Sequence, residues 1–407
     1  MKIEAPRGTH DVLAKDWPHW GTIVRGAEEV CALYGYRPIT TPVFEDTELF
    51  QRTSGSGSDL VQKEMYIFTD RSDRSLTLRP EATAPICRAY VEHGLHRDPQ
   101  PVKLFTIAPM YRYSAPQRGR YREHWQLSVE AIGSPDPAVD AELIQVYVTL
   151  LQRLGITEHE LKLNTIGDPK CRPRYYEELV TWLKANDDVL DEEARQKRDT
   201  NPLRVFDVKN QTVQAALAAA PSLGDFLCDE CREHFEQVRQ CLDAYDVSYT
   251  LDERLVRGLD YYTRTAWEFV GPDEGAQSSL SGGGRYDGLV EEIGGPPTPG
   301  VGFGAGIERL HLALGDREPP SERIDVFFAL EDVGRREEIL PLLARLRAGG
   351  RAADTDYAGR SLKGQLTQAQ RLGAELIVIA AADGFTLRRH GADDVRAATV
   401  EELERLL

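Results

Sequence analysis

From Leu104 to Gly133 the chain reads LFTIAPMYRYSAPQRGRYREHWQLSVEAIG. An apolar, extended run enters a turn at Pro116-Gln117-Arg118-Gly119, and a second run returns through Trp125 to Glu130. This is the pattern of a long β-hairpin. Side chains alternate along a strand, so Gln126, Ser128 and Glu130 are expected on one face. Arg112 ends the first strand, and Arg118, Arg120 and Arg122 crowd the tip. A guanidinium meets phosphate oxygens through two parallel hydrogen bonds. A floor of Gln and Glu beside it suits a small, polar, cationic ligand. Phosphate chemistry next to an amino-acid-like pocket is therefore the first reading. A hairpin with solvated arginines is the plainer alternative.

The rest of the chain supplies the context. An amphipathic helix is predicted over Asp16–Tyr34, a short strand over Tyr36–Thr41, and a hairpin over 60–69 and 74–79. Helices are expected over Glu81–His93 and Val139–Leu154, and a strand over Leu161–Asn164. Residues 169–247 change character: helical segments and charge runs such as Asp191-Glu192-Glu193 dominate. Strands resume near Tyr249 and at Thr265–Val270. A polar, Pro-rich segment at Arg317–Arg323 reads as a linker. Beyond it, strand, helix, strand, helix and strand alternate between Asp325 and Ala380, the mark of a small α/β domain. The resulting division is 1–168, a helical insertion at 169–247, 248–322, and a C-terminal domain at 324–407.

Length and composition fit two or three domains with a full core: 407 residues, 41% hydrophobic and 28% charged. No apolar run is long enough to span a membrane, and Met-Lys-Ile-Glu-Ala-Pro has no secretory h-region. Six cysteines without a dense pattern fit reduced thiols in a cytoplasm. The net charge is −17, of which residues 324–407 carry only −2. That excludes a generally basic surface but leaves room for a local RNA-binding patch.

No GxxxxGK[ST] is present, so a P-loop is excluded. Gly302, Gly304 and Gly306 follow GxGxG spacing, which does not support a dinucleotide fold. Alternating glycines bare one face of a strand, so a flat ring such as adenine can lie against it. The helix opening at Ile307 would present its positive end nearby. Cys228-x-x-Cys231, with His234 and Cys241 downstream, is weak evidence for zinc without a second close pair. Thiols in a helix are the preferred reading, and no structural metal is expected.

Several segments resemble, in order, those of the histidyl-tRNA synthetase family of class II aminoacyl-tRNA synthetases. Thr41-Pro42-Val43-Phe44-Glu45 is similar to motif 1, the arginine hairpin to motif 2, and Gly302–Leu310 to motif 3. Leu78–Thr83 resembles the amino-group-binding turn. Leu255–Tyr262 and Ser281–Gly288 resemble two segments peculiar to the histidine enzymes, and Tyr357–Leu366 the anticodon-binding segment.

The resemblance implies an α+β catalytic domain, an antiparallel sheet flanked by helices, with a helical insertion and a small α/β anticodon-binding-like domain. It implies ATP-dependent activation of histidine and transfer to the 3′ end of tRNA(His), by a cytoplasmic homodimer dimerising through motif 1, with Mg²⁺ accompanying ATP. ATP-binding roles fall to Arg112, Arg120, Arg309, Gly304 and Gly306, and catalytic roles to Arg112 and Arg257. Glu81, Thr83, Gln126, Glu130, Arg257, Tyr261 and Tyr262 are the implied histidine site. Within it Glu130 and Tyr262 would meet the two imidazole nitrogens, although Tyr262 could instead be a packing tyrosine. Two departures stand out: Ala115 replaces a usual arginine, and Trp125 a usual histidine expected beside the pocket. The rival is the non-catalytic regulatory subunit of ATP phosphoribosyltransferase. That family typically lacks the anticodon-binding domain and degrades the arginine motifs, whereas this chain keeps residues 324–407 and Arg112, Arg257 and Arg309.

Overall fold

The computed structural model describes residues 2–407 except 56, 57, 59, 273–277 and 316–322. The linker expected at Arg317–Arg323 lies, but for Arg323, outside the described residues. The chain divides into two compact units, Met1–Arg317 and Glu318–Leu407. The first unit contains β1 (Arg37–Pro38), β2 (Phe44–Asp46), β3 (Tyr66–Thr69), β4 (Ser75–Leu78), β5 (Val102–Tyr111), β6 (Glu123–Ile132), β7 (Glu160–Thr165), β8 (Thr250–Leu251), β9 (Thr263–Val270), β10 (Ser279–Arg285) and β11 (Gly300–Gly306). Its main sheet runs β1-β5-β6-β11-β10-β9-β7-β8. The six inner strands pair antiparallel, while the short edges β1 and β8 join in parallel. A second, three-stranded sheet runs β2-β4-β3.

The arginine hairpin is β5–β6, in unbroken register from Val102 opposite Ile132 to Tyr111 opposite Glu123. Its alternation sorts the site from the core. Leu127, Val129 and Ala131 pack with Phe303, Trp267 and Phe269 under three helices, Trp17–Leu33, Pro137–Arg153 and Ile307–Leu314. Gln126, Ser128 and Glu130 point the other way, as period-2 patterning requires. The first of these helices starts with Pro18 in its opening turn, where no N–H is missed. Gly35, at φ 78°, follows its C-cap Tyr34 and turns the chain into β1. Arg285 fixes the other end of the sheet. Its fully buried guanidinium pairs with Asp140 on the Pro137–Arg153 helix and with Asp287 at 3.1 Å.

Residues 169–247 contain helices and no strand among the described residues. They are not a body apart. Tyr175, Leu179, Leu183 and Val205 share one apolar cluster with Ile166, Tyr261 and Tyr262, and Val238 and Leu242 join the main core. The insertion thereby becomes one wall of the larger unit.

In the second unit, β12 (Val326–Leu330) lies parallel to β13 (Ala353–Thr355) and β14 (Leu376–Ala381). The alternation read from sequence stops there, but two more strands follow, β15 (Gly384–Arg389) and β16 (Val395–Ala397), both antiparallel. Charged residues from Arg388 to Asp394 mask them in the sequence, yet Phe385, Leu387 and Ala397 are buried. Separate apolar clusters cover the two faces of this sheet. No helix among the described residues is long and apolar enough to cross a membrane.

Candidate active site

A cavity of about 380 Å³ opens on the face of the main sheet that carries the even-numbered residues of β6. Arg112 and Arg120 reach it from the hairpin, Arg257 from the loop before β9, and Arg309 from the helix after β11. Glu81, Thr83, Gln126, Tyr261, Tyr262, Gly304 and Gly306 complete the group of expected residues that line it. Glu130 alone lies beneath the lining, fully buried.

Each arginine is held differently. Arg112 Nε donates to the Pro80 carbonyl at 2.7 Å, leaving the rest of its fork for the cavity. Arg120 pairs with Glu64 at 3.0 Å. Arg309 donates to the Ser279 carbonyl. Arg257 Nε has no hydrogen-bond partner among the described residues, and its guanidinium sits 5.9 Å from the Tyr262 ring. Gly282 makes room for it, since a Cβ there would fall 2.0 Å from Arg257 Nη2. The field these cations make is visible on His124. Burial, and then Arg112, Arg309 and Arg120, push its imidazole down to about 3, so it stays neutral. Crowded guanidinium groups around a concave site call for a polyanion.

The other end of the site is a buried polar cluster. Glu81, just before the N-cap Ala82, accepts from the backbone N–H of Thr83 at 2.6 Å and of Ala84 at 2.9 Å, satisfying two open donors of the Thr83–Glu92 helix. The Thr83 hydroxyl donates to Glu130 at 2.7 Å, and the Tyr286 hydroxyl donates to its other oxygen at 2.6 Å. Burial raises Glu130 to about 8, and these two hydrogen bonds work against the rise. Gln126 donates to Ser128 at 2.8 Å. The Tyr261 and Tyr262 rings meet with centroids 4.6 Å apart, tilted at 46°.

The glycines of β11 have a use beyond receiving a flat ring. Gly302 pairs with Glu130 and Gly304 with Ser128 across the β6–β11 ladder. A Cβ on Gly302 would fall 1.7 Å from Glu130 Oε2, and one on Gly304 2.7 Å from Gln126 Nε2. They make room for the polar floor. Gly306 meets only ordinary contacts with Arg309.

One expectation is corrected. Trp125 does not lie beside the pocket. It is 36% exposed on the opposite face of β6, with its ring 6.2 Å from Trp20 in an edge-on arrangement. Strand alternation puts its neighbour His124 in the cavity instead. His124, Tyr121, Glu308 and the Glu130 partner Tyr286 were not singled out from the sequence. Parity with Gln126 could have found His124. Tyr286 and Glu308 could not be found that way, because their positions depend on packing. Glu308 accepts from the Trp125 N–H at 2.8 Å, and burial raises its carboxyl to about 7.

A largely antiparallel sheet that brings the arginines of a long hairpin against a glycine strand and its following helix is the catalytic fold of class II aminoacyl-tRNA synthetases. The histidyl-tRNA synthetase family model matches residues 8–310. The histidine–tRNA ligase of Moorella thermoacetica is 47% identical over 406 residues, 99% of this chain and 96% of that protein. That of Desulforamulus reducens is 46% identical, over 99% and 97%. The crystal structure of apo S. aureus histidyl-tRNA synthetase superimposes with a TM-score of 0.82 at 35% identity, covering 100% of this chain and 98% of that one. A Bacillus halodurans structure described as an ATP phosphoribosyltransferase regulatory subunit/histidyl-tRNA synthetase is similar at TM-score 0.68 and 25% identity, over 94% and 100%. The chain belongs to the histidyl-tRNA synthetase family.

Proposed function

We infer that this chain is a histidine–tRNA ligase whose cavity joins histidine to ATP and then passes the histidyl group to tRNA(His). The observation that carries the reading is the convergence of Arg112, Arg120, Arg257 and Arg309 on one cavity above a buried, carboxylate-floored pocket. The full-length relatedness to histidine–tRNA ligases supports the catalytic reading over the regulatory one.

In the first step the histidine carboxylate attacks the α-phosphorus of ATP and pyrophosphate leaves. The residues mainly position two anions and supply fixed positive charge where it develops. Arg112 and Arg257 would face the α-phosphate, with Arg120 and Arg309 on the rest of the nucleotide. In the second step the terminal ribose hydroxyl of tRNA attacks the adenylate carbonyl and AMP leaves. Mg²⁺ would accompany ATP as its counterion, bound through phosphates and one or two carboxylates. Glu308 is suited to hold it, because its Oε2 is buried without a hydrogen-bond partner among the described residues, and Glu64 lines the same cavity.

Glu81, Thr83 and Gln126 would hold the amino group, and Glu130 and Tyr262 the imidazole. A pocket that pairs both ring nitrogens rejects analogues by about 10⁴ or more. A homodimer fits the exposed Phe44 and Phe68, whose rings meet 6.1 Å apart on one face of the small sheet that includes motif 1. The second unit would approach tRNA. There Arg360 is paired with Asp356 at 2.6 Å, and Lys363 is exposed. A cytoplasmic setting, where ATP and tRNA meet, goes with this reaction.

The deciding experiment is amino-acid-dependent exchange of pyrophosphate into ATP. Exchange is expected with histidine and Mg²⁺ and with no other amino acid. Folded protein that exchanges nothing, or that accepts a second amino acid equally, would refute the ligase reading.

The raised Glu130 carboxyl gives a proton-linked prediction. A ring N–H of histidine donates best to the ionised carboxylate, so bound histidine lowers the Glu130 pKa. Between the bound value and the free value of about 8, binding must release a proton. Affinity should therefore rise with pH between the bound value and about 8. Calorimetry at pH 7 in buffers of different ionisation enthalpy should show release of roughly one proton per histidine. In Glu130→Gln that release should vanish. Unchanged proton release in the variant would assign it to another group.

A further inference from the structure

The CxxC segment acquires a second pair in three dimensions. Cys171 and Cys231 lie 60 positions apart in sequence, with their Sγ atoms 3.8 Å apart. Asp168 Oδ1 lies 3.4 Å from Cys171 Sγ and 4.0 Å from Cys228 Sγ. All four donor atoms fall within 4.8 Å of one another. We propose that Asp168, Cys171, Cys228 and Cys231 form a structural Zn²⁺ site that clips the helical insertion to the active-site sheet.

The Cys171–Cys231, Asp168–Cys171 and Asp168–Cys228 separations are close to the edges of a tetrahedron. With Zn–S near 2.3 Å, sulfurs at neighbouring corners sit about 3.8 Å apart, and with Zn–O near 2.1 Å a sulfur and an oxygen sit about 3.6 Å apart. The sequence pattern is D-x-x-C with C-x-x-C, two short pairs rather than one. Soft thiolates select zinc over the hard cations. Four protein donors make a closed set, which belongs to a structural rather than a catalytic site. His234 is not part of it: its ring nitrogen faces Asp140 at 4.0 Å.

The surroundings are built for negative charge. Cys171 and Cys228 each immediately precede a helix, Arg172–Ala185 and Asp229–Ala244. The Asp168 N–H donates to Cys171 Sγ at 3.3 Å. Three thiolates and a carboxylate around Zn²⁺ would leave two negative charges. The Arg264 guanidinium, 3.6 Å from Asp168, offsets one of them. Gly167, at φ 61°, opens the turn, and a Cβ there would fall 2.7 Å from Cys171 Sγ.

The clip reaches the active site. Arg172, next to Cys171, donates to the Tyr262 carbonyl and, at 2.9 Å, to the Ile166 carbonyl. The Arg264 N–H donates to the Gly167 carbonyl at 2.6 Å. The ligand turn thus positions the segment that carries Tyr261 and Tyr262. That consequence rests on the histidine reading of the pocket, whereas the metal site does not.

The test starts from full-length protein purified reduced from zinc-supplemented cells. Elemental analysis should find about one zinc per chain, and Co²⁺ exchange should give tetrahedral d–d bands with thiolate charge transfer. Chelation should open Cys171, Cys228 and Cys231 to alkylation, mapped by mass. Asp168→Ala and Cys228→Ser should each weaken Co²⁺ binding by about a hundredfold, while Cys241→Ser, outside the cluster, should not. The alkylation map uses unaltered protein, so it stands even where a variant fails to fold. Zinc-free protein without cobalt bands would overturn the site, as would cysteines indifferent to chelator or a Cys171–Cys231 disulfide in place of metal. Metal-free protein should also bind histidine several-fold more weakly. Equal affinity would overturn the positioning role.

Discussion

Replacing Arg257 by alanine is expected to slow single-turnover adenylation by about 10² to 10³, or roughly 3–4 kcal/mol, and to leave folding and histidine affinity near their original values. The geometry is the reason. Arg112, Arg120 and Arg309 are each tied to a carbonyl or carboxylate, so removing them also breaks local structure. Arg257 lies along Gly282 against the Tyr262 ring, and its Nε bonds to nothing among the described residues. Its charge is available to the transition state at little structural cost. The check compares rapid-quench adenylation with histidine affinity from calorimetry. A parallel fall in both would make Arg257 a substrate-binding residue.

The second large effect is expected on removing residues 324–407. Pyrophosphate exchange should survive while tRNA charging falls by orders of magnitude. All residues of the cavity lie before Arg317, and the second unit has its own apolar clusters on both sheet faces. Residues 324–407 carry −2 against −15 for the rest, which makes them the part better able to approach RNA phosphates. Both activities should be measured on truncated protein verified as folded and dimeric. Full charging by that protein would deny the second unit an RNA role. Equal loss of both activities would deny the division of labour.

Much of the site is legible in the sequence because it obeys local periodicity. The hairpin can be read from its turn and its alternation, and the same alternation identifies Gln126, Ser128 and Glu130 as one face. The resemblance that sets Trp125 beside the pocket conflicts with that alternation, since Trp125 has the opposite parity to Gln126, and parity prevails. Strands β15 and β16 are hidden by the charged residues around their turn. The CxxC segment looks incomplete because its second pair begins with aspartate and lies beyond a long helical stretch.

Local sequence limits what each segment can become. Turn chemistry makes the hairpin, Gly35 stops the first helix, and alternating glycines strip the side chains from one face of β11. These are short-range effects of sterics and period, written within a few residues. Which groups meet is a property of the folded chain alone. Glu130 becomes a buried carboxyl near 8 because the folded chain removes it from water, and the Thr83 and Tyr286 hydroxyls, arriving from two other segments, offset only part of that rise. Desolvation, charge crowding and metal-ligand spacing depend on distances between residues far apart in the chain, and those distances exist only once the sheet has closed.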